Sequence, residues 1–148
     1  MWCAEYPHKH NLILYKTGRT NANDGGIDFV MKPLGRFFQV TETTDVHKFF
    51  LDIDKIEKYP ITFVVKSENT IDELIQKMNE NAEEIYTIKT IVKKYMTCIE
   101  EIINIPKLIE CVDIAIKKGY LKSIIHEIIL QSKVEFNIIE DDEDEEEI

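Results

Sequence analysis

The 148-residue chain predicts an α/β fold of the α+β kind: a mixed sheet core first, then a helical C-terminal half. Three observations carry that expectation. Short runs of apolar and aromatic residues, punctuated by Gly and Pro, fill residues 11–66. A helical stretch separates the last two of those runs, as a strand–helix–strand crossover requires. From Thr70 onward the apolar residues recur at intervals of three and four.

The first strand is read at Asn11–Lys16, followed by a loop, Thr17–Gly26, whose Asn23-Asp24-Gly25-Gly26 is turn chemistry because glycine accepts positive φ. Ile27–Lys32 is the second strand. Pro33 has no backbone N–H to extend a ladder, so Pro33-Leu34-Gly35-Arg36 reads as a tight connection to a third strand, Phe37–Glu42. The three strands form an antiparallel meander. Val46, Phe49, Phe50, Ile53 and Ile56 then define a helix capped by Thr44 or Asp45 and stopped at Pro60. Ile61–Val65 is an apolar run suited to a strand buried on both faces.

The second half opens with Thr70-Ile71-Asp72-Glu73, which has capping-box form. An apolar seam runs from Ile71 through Leu74, Met78, Ala82, Val92 and Ile99 to Ile102, with an interruption expected at Asn79-Glu80-Asn81. Pro106 opens a further helix ending at Gly119, and Leu121 to about Gln131 is the last, with Val134–Ile139 a short extended piece. The seam is expected to serve as core or as the contact of a homodimer.

Eighteen basic and 28 acidic residues give a net charge of −10, which on its face argues against nucleic acid. Eight of those acids are consecutive, Glu140–Glu147, so the rest of the chain is close to neutral and the first 66 residues are slightly basic. Residues 140–148 are expected to be a disordered acidic tail. No apolar run approaches the roughly 18–20 residues of a membrane span. The start, Met1-Trp2-Cys3-Ala4-Glu5, lacks the basic and apolar regions of a signal peptide. Cys3, Cys98 and Cys111 fit no disulfide framework, so a reduced, cytoplasmic setting is expected.

Chemistry concentrates in Asp24-Gly25-Gly26-Ile27-Asp28 and in Gln39-Val40-Thr41-Glu42. A hairpin through Pro33–Arg36 brings Asp28 and the Gln39/Thr41 face to one end of the sheet. An Asp at a strand start beside oxygen donors suits a hard cation such as Mg²⁺. Asp-Gly-Gly-Ile-Asp, a hairpin connection and Phe-Gln-Val resemble the PD-(D/E)XK nuclease superfamily, in the branch whose second motif is Gln-x-Lys, as in Mrr-type restriction endonucleases. The wider run Leu12–Lys66 resembles type II restriction enzymes of the HaeII type.

The resemblance implies a restriction-endonuclease-like core over residues 1–66, with Asp28 as metal-binding acid and Gln39 as second ligand. Residues 67–139 would then pack on that core or form the dimer interface. It also implies Mg²⁺ (or Mn²⁺) as cofactor, double-stranded DNA as substrate, and Glu5 as an acid on a short first helix. The family's lysine falls at Thr41, which carries no charge. Lys32 on the second strand, Lys48 on the following helix, or Glu42 as an acid are the substitutes, and Arg19, Arg36 and Lys48 are candidate DNA contacts. Without its lysine the same fold would serve as a DNA-binding or assembly module.

Overall fold

A computed structural model describes residues 12–17 and 27–136. The expectations placed on Glu5, Arg19, the turn Asn23–Gly26 and the acidic tail lie outside the described residues. The elements run β1 (Ile13–Lys16), β2 (Phe29–Lys32), β3 (Arg36–Thr41), α1 (Val46–Lys55), β4 (Ile61–Val65), α2 (Ile71–Ile85), α3 (Lys89–Cys98), β5 (Ile99–Ile103), α4 (Ile105–Lys117) and α5 (Leu121–Phe136). The fold is mixed α/β: one five-stranded sheet in the order β1-β2-β3-β4-β5, with the helices mostly in the second half.

The meander is present, with β1–β2 and β2–β3 antiparallel. Gly35, at φ +68, donates its amide to Met31 and closes the β2–β3 turn. The crossover through α1 makes β3 and β4 parallel, pairing Gln39 with Phe63 and Thr41 with Val65. Asp45 caps α1 by accepting from the His47 amide. Alternation along β3 and β4 then sends Gln39, Thr41, Ile61, Phe63 and Val65 to the face covered by α1, α2 and α3. There Phe63 packs on Phe49 with ring centroids 4.3 Å apart, and Phe50 stacks on Tyr95 at 4.4 Å.

Three parts of the helical half differ from expectation. α2 passes straight through Asn79-Glu80-Asn81, because Asn79 bonds back to the Ile75 carbonyl and Gln76 bonds Glu80, while Met78 and Ala82 stay in the core. The seam breaks instead at residues 86–88, between α2 and α3, and again after Cys98, where Ile99–Ile103 leaves the helix and pairs in parallel with β4. A β-branched run beside an open strand edge gains a full set of ladder bonds there. Ile102 fills the core, and Glu101 faces the opposite side of the sheet. Finally, α5 continues past Gln131 to Phe136, since nothing in that stretch is a breaker.

One core therefore draws on both halves of the chain: Leu74, Met78, Ala82, Val92 and Ile102 bury alongside Val46, Phe49, Ile53 and Phe63. Of the two roles expected of the seam, core or dimer contact, most of its residues take the first. By contrast, α4 buries none of its residues. No helix among the described residues is long and apolar enough to cross a membrane.

Candidate functional site

The carboxyl ends of β3, β4 and β5 lie at the same edge of the sheet, the edge where ligands bind in open α/β sheets. The amino-terminal approach to β2 meets β3 at this edge. Asp28 is held there by two bonds: its amide donates to the Phe38 carbonyl at 2.9 Å, and its carboxylate Oδ2 accepts from the Val40 amide at 2.7 Å. The two contacts fall on either side of Gln39. A carboxylate gripped by a backbone amide keeps one position, which a ligand requires.

Gln39 is 6% exposed, and its Oε1 is buried with no hydrogen-bond partner. A buried amide oxygen left unpaired costs on the order of 1–3 kcal/mol, a cost that an ordered water or a cation would each offset. An oxygen donor of this kind, one residue from the amide that grips Asp28, fits a hard cation. The pair is small, however. Among the described residues no three His, Cys, Asp or Glu side chains converge as a metal cluster.

Thr41 is buried, and its hydroxyl accepts from the Thr43 amide at 3.2 Å. The cation at this edge comes from the neighbouring strand. Lys66 directly follows β4, its amide bonds the Thr41 carbonyl at 2.9 Å, and its ammonium pairs with Glu42 at 2.9 Å. Parallel β3 and β4 place Glu42 and Lys66 side by side. Lys66 was missed because its position depends on strand order; the strand–helix–strand pattern was the available signal, since it implies parallel neighbours whose ends coincide.

The other sequence-predicted residues are elsewhere. Lys32 stands four residues along β2 from Asp28, about 13 Å at strand rise, and its ammonium lies over the Tyr15 ring. Lys48 is bonded to Asp52 at 2.8 Å, with Lys55 on the same carboxylate oxygen at 3.1 Å. Asp52 itself is fully buried, and its second oxygen has no partner.

Arg36 is not at the surface. Its guanidinium, 5% exposed, bonds Thr62 and Glu101 and lies 3.2 Å from Glu100, on the sheet face away from α1. Its charge is engaged by these two carboxylates, which leaves less of it for a phosphate. The structure thus sets Asp28 against β3 next to Gln39, pairs Glu42 with Lys66 on the exposed side just past the ends of β3 and β4, and leaves Lys32, Lys48 and Arg36 apart. No protein family, curated protein or solved structure matches the chain.

Proposed function

We propose that this protein is a metal-dependent DNA endonuclease of the restriction-endonuclease-like type, hydrolysing phosphodiesters at the carboxyl edge of β3 and β4. The observation that carries the reading is the Asp28 carboxylate held by the Val40 amide, next in sequence to Gln39, whose Oε1 is buried and unpaired. Asp28 and Gln39 would hold Mg²⁺, with Mn²⁺ able to substitute. Such an ion, when bound, polarises the phosphodiester and acidifies an attacking water. Lys66, exposed just past β4 and paired with Glu42, would add positive charge for a DNA strand lying along this edge.

Nicking of supercoiled plasmid in Mg²⁺ or Mn²⁺, and its loss in EDTA, is the direct test. Asp28→Asn keeps an acceptor for the Val40 amide and removes the charge, so it should abolish nicking while leaving the fold intact. Lys66→Met should weaken DNA binding and make it less salt-dependent, as expected when one phosphate-facing charge is lost. Full activity in Asp28→Asn rejects the assignment.

A second reading is favoured by Thr41 and by the small ligand set: a nuclease-fold module that binds double-stranded DNA, or assembles with it, without cutting. It predicts a gel shift that weakens with rising salt and no cleavage in any metal.

A further inference from the structure

A cavity of about 290 Å³ opens at the amino edge of the parallel strands, the edge opposite Asp28. Its lining includes Leu34 from the β2–β3 turn, Arg36 and Phe37 from β3, Tyr59 and Pro60 from the α1–β4 connection, and Glu100 from β5. The Phe37 and Tyr59 rings stand 86° apart in plane, with centroids separated by 6.5 Å. Two near-perpendicular rings on one cavity make the corner of an aromatic cage. A cation in that corner lies within the roughly 6 Å of each centroid over which a ring attracts it. Tyr59 is 61% exposed, so this wall stands outside the core.

We propose that this cavity is a binding site for an alkylated ammonium group. Charge selects a cation. Arg36 is paired with both Glu100 and Glu101, so the three groups together carry one net negative charge. Lys58, one residue before Tyr59, turns its ammonium to Asp54 and the Tyr95 ring. Helices α1 and α3 lead into β4 and β5, so both end at this edge, and helix C-termini favour positive charge. The apolar walls then select the kind of cation. Ring faces, Leu34 and Pro60 suit an ion that sheds its water readily, as a quaternary ammonium does and a hard metal ion does not. Free choline-like molecules and the methylated lysines of a protein partner both carry this head group. The inference goes beyond the nuclease reading and uses none of the residues at the β3–β4 carboxyl edge.

Carbon–proton NMR of the aromatic rings, on the full chain titrated with choline, tests the site. Choline should shift the Phe37 and Tyr59 ring resonances saturably, with a dissociation constant on the order of 1–10 mM. Neohexyl alcohol, in which carbon replaces the choline nitrogen, should bind at least about tenfold more weakly. Tyr59→Ala should weaken choline binding about tenfold and Glu100→Gln about threefold, while Tyr59→Phe keeps the wall and the affinity. Both side chains are exposed, so circular dichroism should be unchanged in all three variants. A trimethyllysine peptide that binds more tightly than choline assigns the head group to a protein partner, and the reverse order assigns it to a free small molecule. No saturable shift with choline overturns the proposal, as does equal binding of neohexyl alcohol or undiminished binding in Tyr59→Ala. Saturable binding of acetate in place of choline also overturns it, assigning the cavity to an anion held by Arg36.

Discussion

Arg36 at the start of β3 reaches past Thr62 on β4 to pair with Glu101 on β5, 65 residues away in the chain. The contact ties three strands together on the face that α1, α2 and α3 leave open, so one buried guanidinium joins the meander to the strand contributed by the second half. Removing one partner of a buried pair leaves the other desolvated and uncompensated. Arg36→Met should therefore destabilise the protein by about 3 kcal/mol, the low side of that range, because Glu101 keeps some solvent contact. Glu101→Gln should cost less, since Glu100 remains 3.2 Å from the guanidinium. Urea denaturation of both variants checks the order. Equal losses would show that Glu100 gives no backup.

Gln39 presents the opposite case, a buried polar group that stability alone does not favour. Replacing it with leucine keeps the volume approximately and removes the unpaired Oε1 from the α1-covered face. Gln39→Leu should raise stability by roughly 1 kcal/mol, as expected when a buried unsatisfied acceptor is removed. It should also lower any metal-dependent nicking. Gain in one measurement and loss in the other is the signature of a residue kept for function. A variant that loses stability instead would show that the Gln39 oxygen is satisfied in solution.

How much of this was legible follows from what each inference depended on. The β3–α1–β4 order could be read because short apolar runs flank a stretch of period 3.6, and the meeting of Asp28 with β3 followed from the short Pro33–Arg36 hairpin. β5 could not. Ile99 and Ile102 are three apart and continue a helical count, and pairing with β4 overrides that count only in the folded chain. Lys32 was a poor substitute for the missing lysine because alternation reports the face of a strand and not the distance along it. Lys66 needed the parallel register, and Arg36 needed β5, so each became visible only once the sheet was complete.

α1 ends in a local strain that a single substitution can relieve. Glu57 and Lys58 both adopt the left-handed region, at φ 56 and φ 64, and the Lys58 amide bonds the Ile53 carbonyl in the 6→1 pattern of a helix C-terminus. A side chain in that region costs on the order of 1 kcal/mol, and the first such position after a helix is where glycine is favoured. Glu57→Gly should raise the stability by up to about 0.5 kcal/mol, once the roughly 0.4–1 kcal/mol of added freedom in the unfolded chain is deducted. Thermal unfolding checks the sign: a lower midpoint would mean that the Glu57 side chain contributes more than its backbone loses.

Lys58 also takes part in the clearest pH-dependent contact. The hydrogen bond from its ammonium, followed by that from the Tyr95 hydroxyl, holds the Asp54 carboxyl below its ordinary value of 3.8. The hydrogen bond to Asp54 in turn raises both Lys58 and Tyr95 above theirs. A carboxyl lowered by folding stabilises the native state above its unfolded value, and that contribution fades as pH falls from about 3.8 through the lower folded value. The raised Tyr95 and Lys58 behave oppositely: their contributions are complete below 10.0 and 10.5 and fade as pH climbs through the folded values. Because the cluster is largely exposed, solvent screening keeps each contribution small. In a carbon-detected NMR titration Asp54 should move back toward 3.8 in Tyr95→Phe and further in Lys58→Met, since the Lys58 bond is the larger cause. Tyr95→Phe retains the ring that stacks on Phe50, so its core contact survives and the titration isolates the hydroxyl. An Asp54 that titrates identically in wild type and both variants would show that the cluster does not persist in solution.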